Sequence, residues 1–183
     1  MRAFKHVDIR TVGSGNIGAT NVWRTYGRWF GVPVVLLDVA KGFGPALAAT
    51  LVVGHLAGVL AGGAAMLGHW RPLFLKFEKG GKTVATCGGA FFGVAPLVAF
   101  AGLGAWLVVF LLLRYASVAS ILAALALAPI AAGFGEPWPV VAFGAAAGVA
   151  VLVLHRANLK RLRSGTENRF VRRRRGRAVP SNG

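Results

Sequence analysis

Three polar segments of the chain combine glycine with small polar and cationic residues, the residue types that bind phosphate groups. The first, residues 13–24, reads GSGNIGATNVWR, and the second contains the turn Gly80-Gly81-Lys82. In the third, His155 and Asn158 lie three residues apart, so they share one face of a helix. Glycines let backbone N–H groups approach an anion, and Arg and Lys add positive charge. Because a Ser-His-Asp triad, paired carboxylates and a metal-ligand cluster are missing, these segments indicate a phosphate site that works by positioning and electrostatics.

Two nucleotide-binding motifs are matched only in part. Residues 13–18 fit the GxGxxG pattern of dinucleotide-binding folds, and Asp38 follows at the expected distance. The preceding residues 6–10 are charged, however, whereas the strand before this motif is apolar in those folds. Gly81-Lys82-Thr83 resembles the end of a Walker A loop, but Lys76 occupies the position of that motif's first glycine. A nucleotide-binding fold is therefore not predicted.

Several of these residues also have a structural interpretation, and the sequence leaves the alternatives open. The first polar segment is either a flexible loop or an anion-binding loop. Asp38 and Lys41, three residues apart in an apolar segment, either neutralise each other or support a nearby site. His69, at the start of the second polar segment, is either an interfacial or a catalytic histidine. His155 and Asn158 either cap a helix end or contact a substrate.

The overall composition places these segments in a membrane protein. Of the 183 residues, 56% are hydrophobic and only 14% are charged, whereas soluble domains are about 45–50% apolar. The net charge is nevertheless +16. A disordered basic chain is excluded because such chains are poor in apolar residues, and a soluble nucleic-acid binder would carry more polar surface. A polytopic membrane protein whose charges are confined to loops accommodates both values.

Long uncharged segments predict six membrane spans, with turns near residues 50–54 and Gly102–Gly104. The spans cover about 29–50, 54–68, 83–100, 103–114, 115–135 and 137–155. The predicted fold is an all-α, polytopic helical bundle. Residues 1–156 form a single transmembrane domain with the first motif, and residues 157–183 form a basic tail.

The basic residues fall on one side of this bundle. An even number of predicted spans separates the N-terminal basic segment, residues 69–82 and the C-terminal tail, and Arg114 lies at a turn on the same side. Twenty of the 21 Lys and Arg residues therefore face one compartment, which the positive-inside rule identifies as the cytoplasm. The run Arg172–Arg175 is predicted to bind anionic lipid headgroups.

The order and content of the motifs resemble the bacterial acyl-phosphate-dependent glycerol-3-phosphate acyltransferases, the PlsY family. The residues that carry the resemblance are 13–21 with Arg24, Asp38 with Lys41 and Gly42, Gly68-His69 with Pro72, Gly80-Gly81-Lys82 with 84–86, and His155 with Asn158. The resemblance implies a seven-span protein of the inner membrane with its motifs in cytoplasmic loops. It also implies transfer of an acyl group from acyl phosphate to the 1-hydroxyl of glycerol 3-phosphate, giving lysophosphatidic acid and inorganic phosphate. No cofactor, metal, coenzyme A or acyl-carrier protein is expected to be used directly.

The resemblance also implies roles for residues of this chain. Glycerol 3-phosphate would be held by Ser14, Arg24, Lys82, His155 and Asn158. Acyl phosphate would be received by Asn16, Thr20 and the backbone near Gly80 and Gly81, with Asp38, Lys41 and His69 in support. No side chain is expected to act as the base, so a phosphate oxygen of a substrate would take the proton. The expected partners are membrane lipids and the enzyme that forms acyl phosphate, and nucleic acid is not among them.

Two departures from the family pattern are visible, and two other interpretations remain. The chain is expected to lack the span that precedes the first motif in the family. Its second loop is one residue longer, with Glu78-Lys79 before Gly80 and Thr83 where glycine is common. The alternatives are a small anion transporter or channel, and an inactive truncated homologue. A transporter would carry charged residues inside its spans, and only Asp38 and Lys41 do so.

Overall fold

The structure is a computed structural model that describes residues 8–170, and within this range the chain is helical without β-strands. The α-helices are α1 (Ala19–Tyr26), α2 (Arg28–Val52), α3 (His55–Trp70), α4 (Val84–Val94), α5 (Pro96–Leu113), α6 (Ala116–Gly133), α7 (Trp138–Leu154) and α8 (Arg156–Arg163). One short 3-10 turn, Ile9–Thr11, precedes the first motif, and another, Leu73–Leu75, lies in the second loop. The predicted all-α fold class is confirmed.

The turn predicted near residues 50–54 is confirmed. Helix α2 ends at Val52 and α3 begins at His55. Between them, Gly54 has a φ of 114°, a backbone conformation that is unstrained only for glycine. The sequence therefore ends the helix at a residue suited to the turn.

The turn predicted near Gly102–Gly104 is wrong. Both glycines lie inside α5, and the break falls instead at Ala95, between α4 and α5. Pro96 is the cause, because proline has no N–H and disfavours the helical conformation of the residue before it. Ala95 accordingly has φ −151° and ψ 77°, and Pro96 begins α5. Glycine, in contrast, is frequent inside membrane helices.

Within residues 8–170, three helices, α2, α5 and α6, are long and apolar enough to cross a membrane. Helices α7 and α8 provide a fourth candidate if their bend of 56° is treated as a break within one span. Helix α4 has 11 residues and is only about 16 Å long, much less than the roughly 30 Å of a hydrocarbon core. The helical membrane fold is therefore confirmed, while the number of six spans stays a prediction.

Large apolar side chains cover the outside of the bundle. Leu37 on α2 is 69% exposed and Leu112 on α5 is 72% exposed, an arrangement that suits contact with lipid rather than water. Many of the buried residues are instead polar. They include Asn21, Asp38, His69, Thr83, Ser117, Ser120, His155, Asn158 and Glu167. Polar side chains that face the interior of a membrane bundle mark a functional site.

Helix α4 is held in place by an unusually close contact with α2. A Cβ atom on Gly42 would lie 2.1 Å from the carbonyl oxygen of Thr86, and one on Gly89 would lie 2.1 Å from that of Val39. Small residues allow membrane helices to approach in this way. The contact fixes the N-terminal end of α4, and therefore Lys82, beside the middle of α2.

The part of the C-terminal tail that the structure describes folds back onto the helices. The N–H of Phe170 donates to the carbonyl of Arg114 at 2.9 Å, at the turn between α5 and α6. Residues 164–170 thereby cross the open end of the bundle. The division of the chain at residue 156 stays a prediction, and the run Arg172–Arg175 lies outside the described residues.

Candidate active site

The three motif segments converge on one cavity of about 690 Å³. It lies among α1, α2, α4, α5 and α6, beside the junction of α7 and α8. The predicted substrate-binding residues that line it are Ser14, Asn16, Thr20, Arg24, Lys82, His155 and Asn158. Two predicted supporting residues, Asp38 and His69, also line it, whereas Lys41, Gly80 and Gly81 do not.

Asn21 fixes the shape of the first motif segment. Its buried Oδ1 accepts from the N–H of Ser14 at 2.9 Å. Its Nδ2 donates to the carbonyls of Val12 and Asn16, each at 2.9 Å. The side chain of Asn16 in turn accepts from the N–H of Gly18 at 2.8 Å. Local bonds of this kind replace secondary structure, so the segment is a loop whose conformation is defined by hydrogen bonds.

Arg24 extends from α1 to the mouth of the cavity. Its Nη2 donates to the carbonyl of Asn168 at 2.9 Å, and its guanidinium lies 4.5 Å from the ring centroid of Phe170. A guanidinium over an aromatic face is stabilised by a cation–π interaction. Because the group has five N–H donors, this anchoring leaves donors for an anionic ligand.

Lys82, Asn158 and Glu167 form a chain of hydrogen bonds across the mouth. Lys82 Nζ donates to Asn158 Oδ1, and Asn158 Nδ2 donates to Glu167 Oε1 at 2.7 Å. Ser117 Oγ donates to the same carboxylate oxygen at 2.8 Å, and Arg161 Nε donates to Oε2 at 2.7 Å. Asn158 therefore joins the second loop to the tail instead of capping a helix.

The charges around Lys82 change its affinity for a proton. Burial, followed by the positive charge of Arg161, lowers the pKa of Lys82 to about 8, although Glu167 opposes the change. Burial also disfavours the Glu167 anion, but hydrogen bonds from Asn158, Ser117 and Arg161 outweigh it and lower the pKa of this carboxyl. At neutral pH, Lys82 is thus a cation beside the Glu167 carboxylate, and Arg24 and Arg161 lie near the same mouth.

His155 lies between α7 and α8 and is 3% exposed. Its Nδ1 is 2.8 Å from the carbonyl oxygen of Val151. Because a carbonyl only accepts, the neutral ring carries its proton on Nδ1 and keeps a lone pair on Nε2. The same carbonyl accepts the backbone N–H of His155 at 3.0 Å, so the ring adds a second bond at the C-terminal end of α7. His155 also lines the cavity.

Gly80 and Gly81 hold the second loop against the end of α3. Their N–H groups donate to the carbonyls of Trp70 at 2.8 Å and His69 at 3.0 Å. A Cβ atom on Gly81 would lie 1.8 Å from His69 Nε2, so the close approach requires glycine. These N–H groups are engaged within the protein, which differs from the expectation that they receive acyl phosphate.

The ion pair predicted between Asp38 and Lys41 is formed. Lys41 Nζ donates to Asp38 Oδ1 at 2.6 Å and also contacts His69 Nδ1. The three side chains line a second cavity of about 650 Å³, and Asp38 and His69 also line the first. The pair therefore neutralises charge within α2 and also fixes His69, whose ring packs against the loop that carries Lys82.

The sequence did not assign a role to two polar residues of the site, Glu167 and Ser117. Glu167 is one of only five acidic residues in the chain and stands in a basic tail, which is a signal that the sequence offers. Ser117 lies in an apolar segment, where a serine is indistinguishable from a small packing residue. Only the fold brings its hydroxyl to the carboxylate.

Beyond this polar mouth, the cavity continues as an apolar groove. Its walls come from α4, α5 and α6, and the lining residues are Phe91, Phe92, Ala99, Gly102, Leu103, Trp106, Leu107, Phe110, Ala123, Ala124 and Leu127. A cationic mouth that opens into an apolar groove fits an amphiphile with an anionic head and a hydrocarbon tail.

Comparison with known proteins agrees with this geometry. The family model for glycerol-3-phosphate acyltransferases matches residues 1–165. The glycerol-3-phosphate acyltransferase of Roseiflexus sp. (strain RS-1) is 48% identical over 171 residues, which cover 90% of this chain and 83% of the relative. The match therefore includes all three motif segments.

Two crystal structures of PlsY, an integral membrane glycerol 3-phosphate acyltransferase, share the fold. The glycerol 3-phosphate form gives a TM-score of 0.88 at 43% identity, covering 92% of this chain and 85% of that chain. The lysophosphatidic acid form gives 0.83 at 43% identity, covering 87% and 82%. By sequence over nearly its whole length and by fold, the chain belongs to the glycerol-3-phosphate acyltransferase family of integral membrane enzymes.

Proposed function

We propose that the enzyme transfers an acyl group from acyl phosphate to the 1-hydroxyl of glycerol 3-phosphate, releasing lysophosphatidic acid and inorganic phosphate. The main support for the proposal is that one cavity has both a cationic mouth and an apolar groove. The printed names of the two solved relatives, one with glycerol 3-phosphate and one with lysophosphatidic acid, support the acceptor and the product. Family membership favours this reaction over an anion transporter, as does the pairing of Asp38 with Lys41.

Glycerol 3-phosphate is assigned to the polar mouth. Arg24 and Lys82 approach from α1 and from the second loop and contribute two positive charges to its phosphate. Ser14 and Asn158 add uncharged polar groups, and the Nε2 lone pair of His155 is able to accept a hydrogen bond from a substrate hydroxyl. The chain from Lys82 to Glu167 keeps these groups in place before substrate arrives.

Acyl phosphate is assigned to the first motif segment and the groove. Helix α1 begins after Gly18 without a side-chain cap, and Asn16 and Thr20 line the cavity there. A helix N-terminus attracts an anion, so the donor phosphate is expected at this end. The acyl chain then extends along the groove. Gly80 and Gly81 contribute by packing the second loop, as their hydrogen bonds indicate.

The reaction needs no covalent intermediate. The 1-hydroxyl oxygen of glycerol 3-phosphate attacks the acyl carbonyl carbon and forms the new ester C–O bond. The bond between the acyl carbon and the phosphate oxygen breaks, and inorganic phosphate leaves with the bonding electrons. The hydroxyl proton passes to a phosphate oxygen of one of the substrates. The protein contributes orientation and positive charge, which are the terms that stabilise such a transition state.

The orientation in the membrane follows from the charges. We assign the motif loops to the cytoplasmic side of the bacterial inner membrane, because the predicted spans put 20 of the 21 Lys and Arg residues on one side. Both substrates are anionic, and the positive face attracts them and the headgroups of anionic lipids. The donor is expected to come from an enzyme that forms acyl phosphate at the same face.

The test is an acyl-transfer assay with purified protein in liposomes, using palmitoyl phosphate and labelled glycerol 3-phosphate. Wild type is expected to form labelled lysophosphatidic acid, and palmitoyl coenzyme A is expected not to replace the donor. His155→Ala separates the two roles of this residue. A lower turnover of well-folded protein supports substrate contact, whereas normal turnover with a lower yield supports capping alone. Failure of wild type to form lysophosphatidic acid from any acyl phosphate would contradict the proposal.

A further inference from the structure

We propose that Gly102 and Leu127 set the depth of the apolar groove and thereby select the length of the acyl chain. The inference rests on the proposed function, because it takes the groove as the site of the acyl chain. It adds a determinant of specificity that lies far from the phosphate-binding groups. The two residues face each other from α5 and α6, at the end of the groove opposite the polar mouth.

Each of the two helices turns one continuous face toward the groove. On α5 the lining residues are Ala99, Gly102, Leu103, Trp106, Leu107, Phe110 and Leu111. On α6 they are Ala116, Ser117, Ser120, Ala123, Ala124 and Leu127. The spacing of three and four residues identifies a single stripe on each helix. Both stripes begin at the mouth, where Phe110 packs against Phe170 and Ser117 donates to Glu167.

The groove ends where α4, α5 and α6 close on one another. Ala99 and Leu127 are the last lining residues and are only 4% and 7% exposed. The adjacent core residues, which do not line the cavity, are Val94, Val98 and Ala131. At this level a Cβ atom on Gly102 would lie 2.9 Å from Cδ2 of Leu127. Leu127 therefore packs directly over Gly102, which has no side chain to hold it away, and closes the groove at this level.

The length of the stripes gives the length of the chain that fits. From Phe110 to Ala99, α5 extends about 16 Å at about 1.5 Å per residue, and from Ser117 to Leu127, α6 extends about 15 Å. An extended hydrocarbon chain with bonds of about 1.5 Å and near-tetrahedral angles advances about 1.25 Å per bond. The groove therefore holds about thirteen bonds, which corresponds to an acyl group of about fourteen carbons, such as myristoyl.

Substitutions at the two positions are expected to move the preferred length in opposite directions. Gly102→Leu adds a side chain where Leu127 already packs, so the two leucines must extend into the groove and shorten it by about one helical turn, roughly 5 Å or four carbons. The ratio of kcat/KM for myristoyl phosphate to that for decanoyl phosphate should then fall about tenfold or more, because overpacking of a close-packed site carries a penalty of that size. Leu127→Ala removes part of the floor, so the ratio for palmitoyl over myristoyl phosphate should rise.

Gly104→Leu is the matched control. Gly104 is an exposed residue of the same helix, and a Cβ atom there would meet nothing within 4 Å. The variant adds the same side chain to α5 outside the groove, so its chain-length profile should equal that of wild type. Gly102→Ala is a milder variant, because the end of the flexible Leu127 side chain can move by the small distance that one methyl group requires.

The proposal is overturned if Gly102→Leu lowers the rates for all chain lengths equally, or if Leu127→Ala leaves the profile unchanged. If Gly102→Leu does not fold, Gly102→Ala and Leu127→Ala decide the question.

A wild type that transfers no acyl chain of any length contradicts the proposed function instead. Groove depth is then measured without catalysis, from the stabilisation of the protein by lysophosphatidic acids of increasing chain length. The length that gives the largest rise in Tm should be shorter for Gly102→Leu than for wild type, and an unchanged length also overturns the proposal.

Discussion

The lowered pKa of Lys82 predicts a loss of activity in mildly alkaline solution. With a pKa of about 8, the side chain is about 90% protonated at pH 7, about 10% at pH 9 and about 1% at pH 10. Only the ammonium form attracts phosphate, and the phosphate itself is already a dianion in this range because its second pKa is about 6. The value of kcat/KM for glycerol 3-phosphate should therefore fall about tenfold for each pH unit above about 8. A lysine with the ordinary pKa of 10.5 would retain most of its activity through pH 9.

Lys82→Arg tests the assignment of this alkaline loss. A guanidinium remains protonated throughout the range, so the decline above pH 8 should disappear. The absolute rate should be lower, because the planar guanidinium does not reproduce the contact of Lys82 with Asn158. Lys76→Arg, at an exposed position of the same loop, makes the same chemical change away from the cavity and should keep the decline of wild type.

The measurement consists of initial rates at limiting glycerol 3-phosphate between about pH 7 and about pH 10, together with its Kd by calorimetry over the same range. The Kd should weaken in parallel with kcat/KM, because the charge acts on binding. A wild-type profile that stays flat to pH 10 would contradict a pKa of about 8. A decline that persists in Lys82→Arg would assign the titration to another group.

Four further substitutions test other parts of the site. Arg24→Ala should reduce kcat/KM about 10²-fold or more, the scale of losing one transition-state contact. Arg28→Ala, at an exposed position of the next helix, should leave kcat/KM unchanged. Near-normal activity of Arg24→Ala would show that this residue does not bind the phosphate. Glu167→Gln should move the alkaline decline to a pH below about 8, because the charge of Glu167 raises the pKa of Lys82, and an unmoved decline would show that the two groups are not coupled. Gly81→Ala should lower Tm, because its Cβ would lie 1.8 Å from His69 Nε2 and overpacking costs about 1–3 kcal/mol. Gly44→Ala should leave Tm unchanged, because nothing lies within 4 Å of the added atom. Phe170→Leu should raise KM for glycerol 3-phosphate severalfold through loss of the cation–π contact that holds Arg24, and an unchanged KM would show that the bond to Asn168 suffices.

The positions of the motifs could be predicted from the sequence because they depend on simple rules. Charge-free segments marked the apolar helices, and the charge pattern placed three distant segments on one side. Gly54 predicted the turn between α2 and α3 correctly, because glycine tolerates the required backbone conformation. The break at Ala95 differs from the predicted turn at Gly102–Gly104, because Pro96 imposes a break directly, whereas glycine is tolerated inside a membrane helix.

The finer contacts of the site could not be predicted, because they depend on residues that are distant in sequence. The carboxylate of Glu167 meets Ser117 from a different helix, and no local pattern links the two. Similarly, the N–H groups of Gly80 and Gly81 bind carbonyls at the end of α3, so a loop that looks suited to an anion is held by the protein itself. Such partners become visible only when the helices are packed.

The central proposal is direct transfer within one cavity, without an acyl-enzyme intermediate, and a single-turnover experiment tests it. Excess wild-type protein is mixed with acyl phosphate labelled in its acyl chain, with and without glycerol 3-phosphate, and the reaction is stopped with denaturant. The label should appear in lysophosphatidic acid only when glycerol 3-phosphate is present, and an equal amount of inorganic phosphate should be released. No label should be attached to the protein. Label bound covalently to the protein without glycerol 3-phosphate, and passed on when the acceptor is added, would contradict direct transfer.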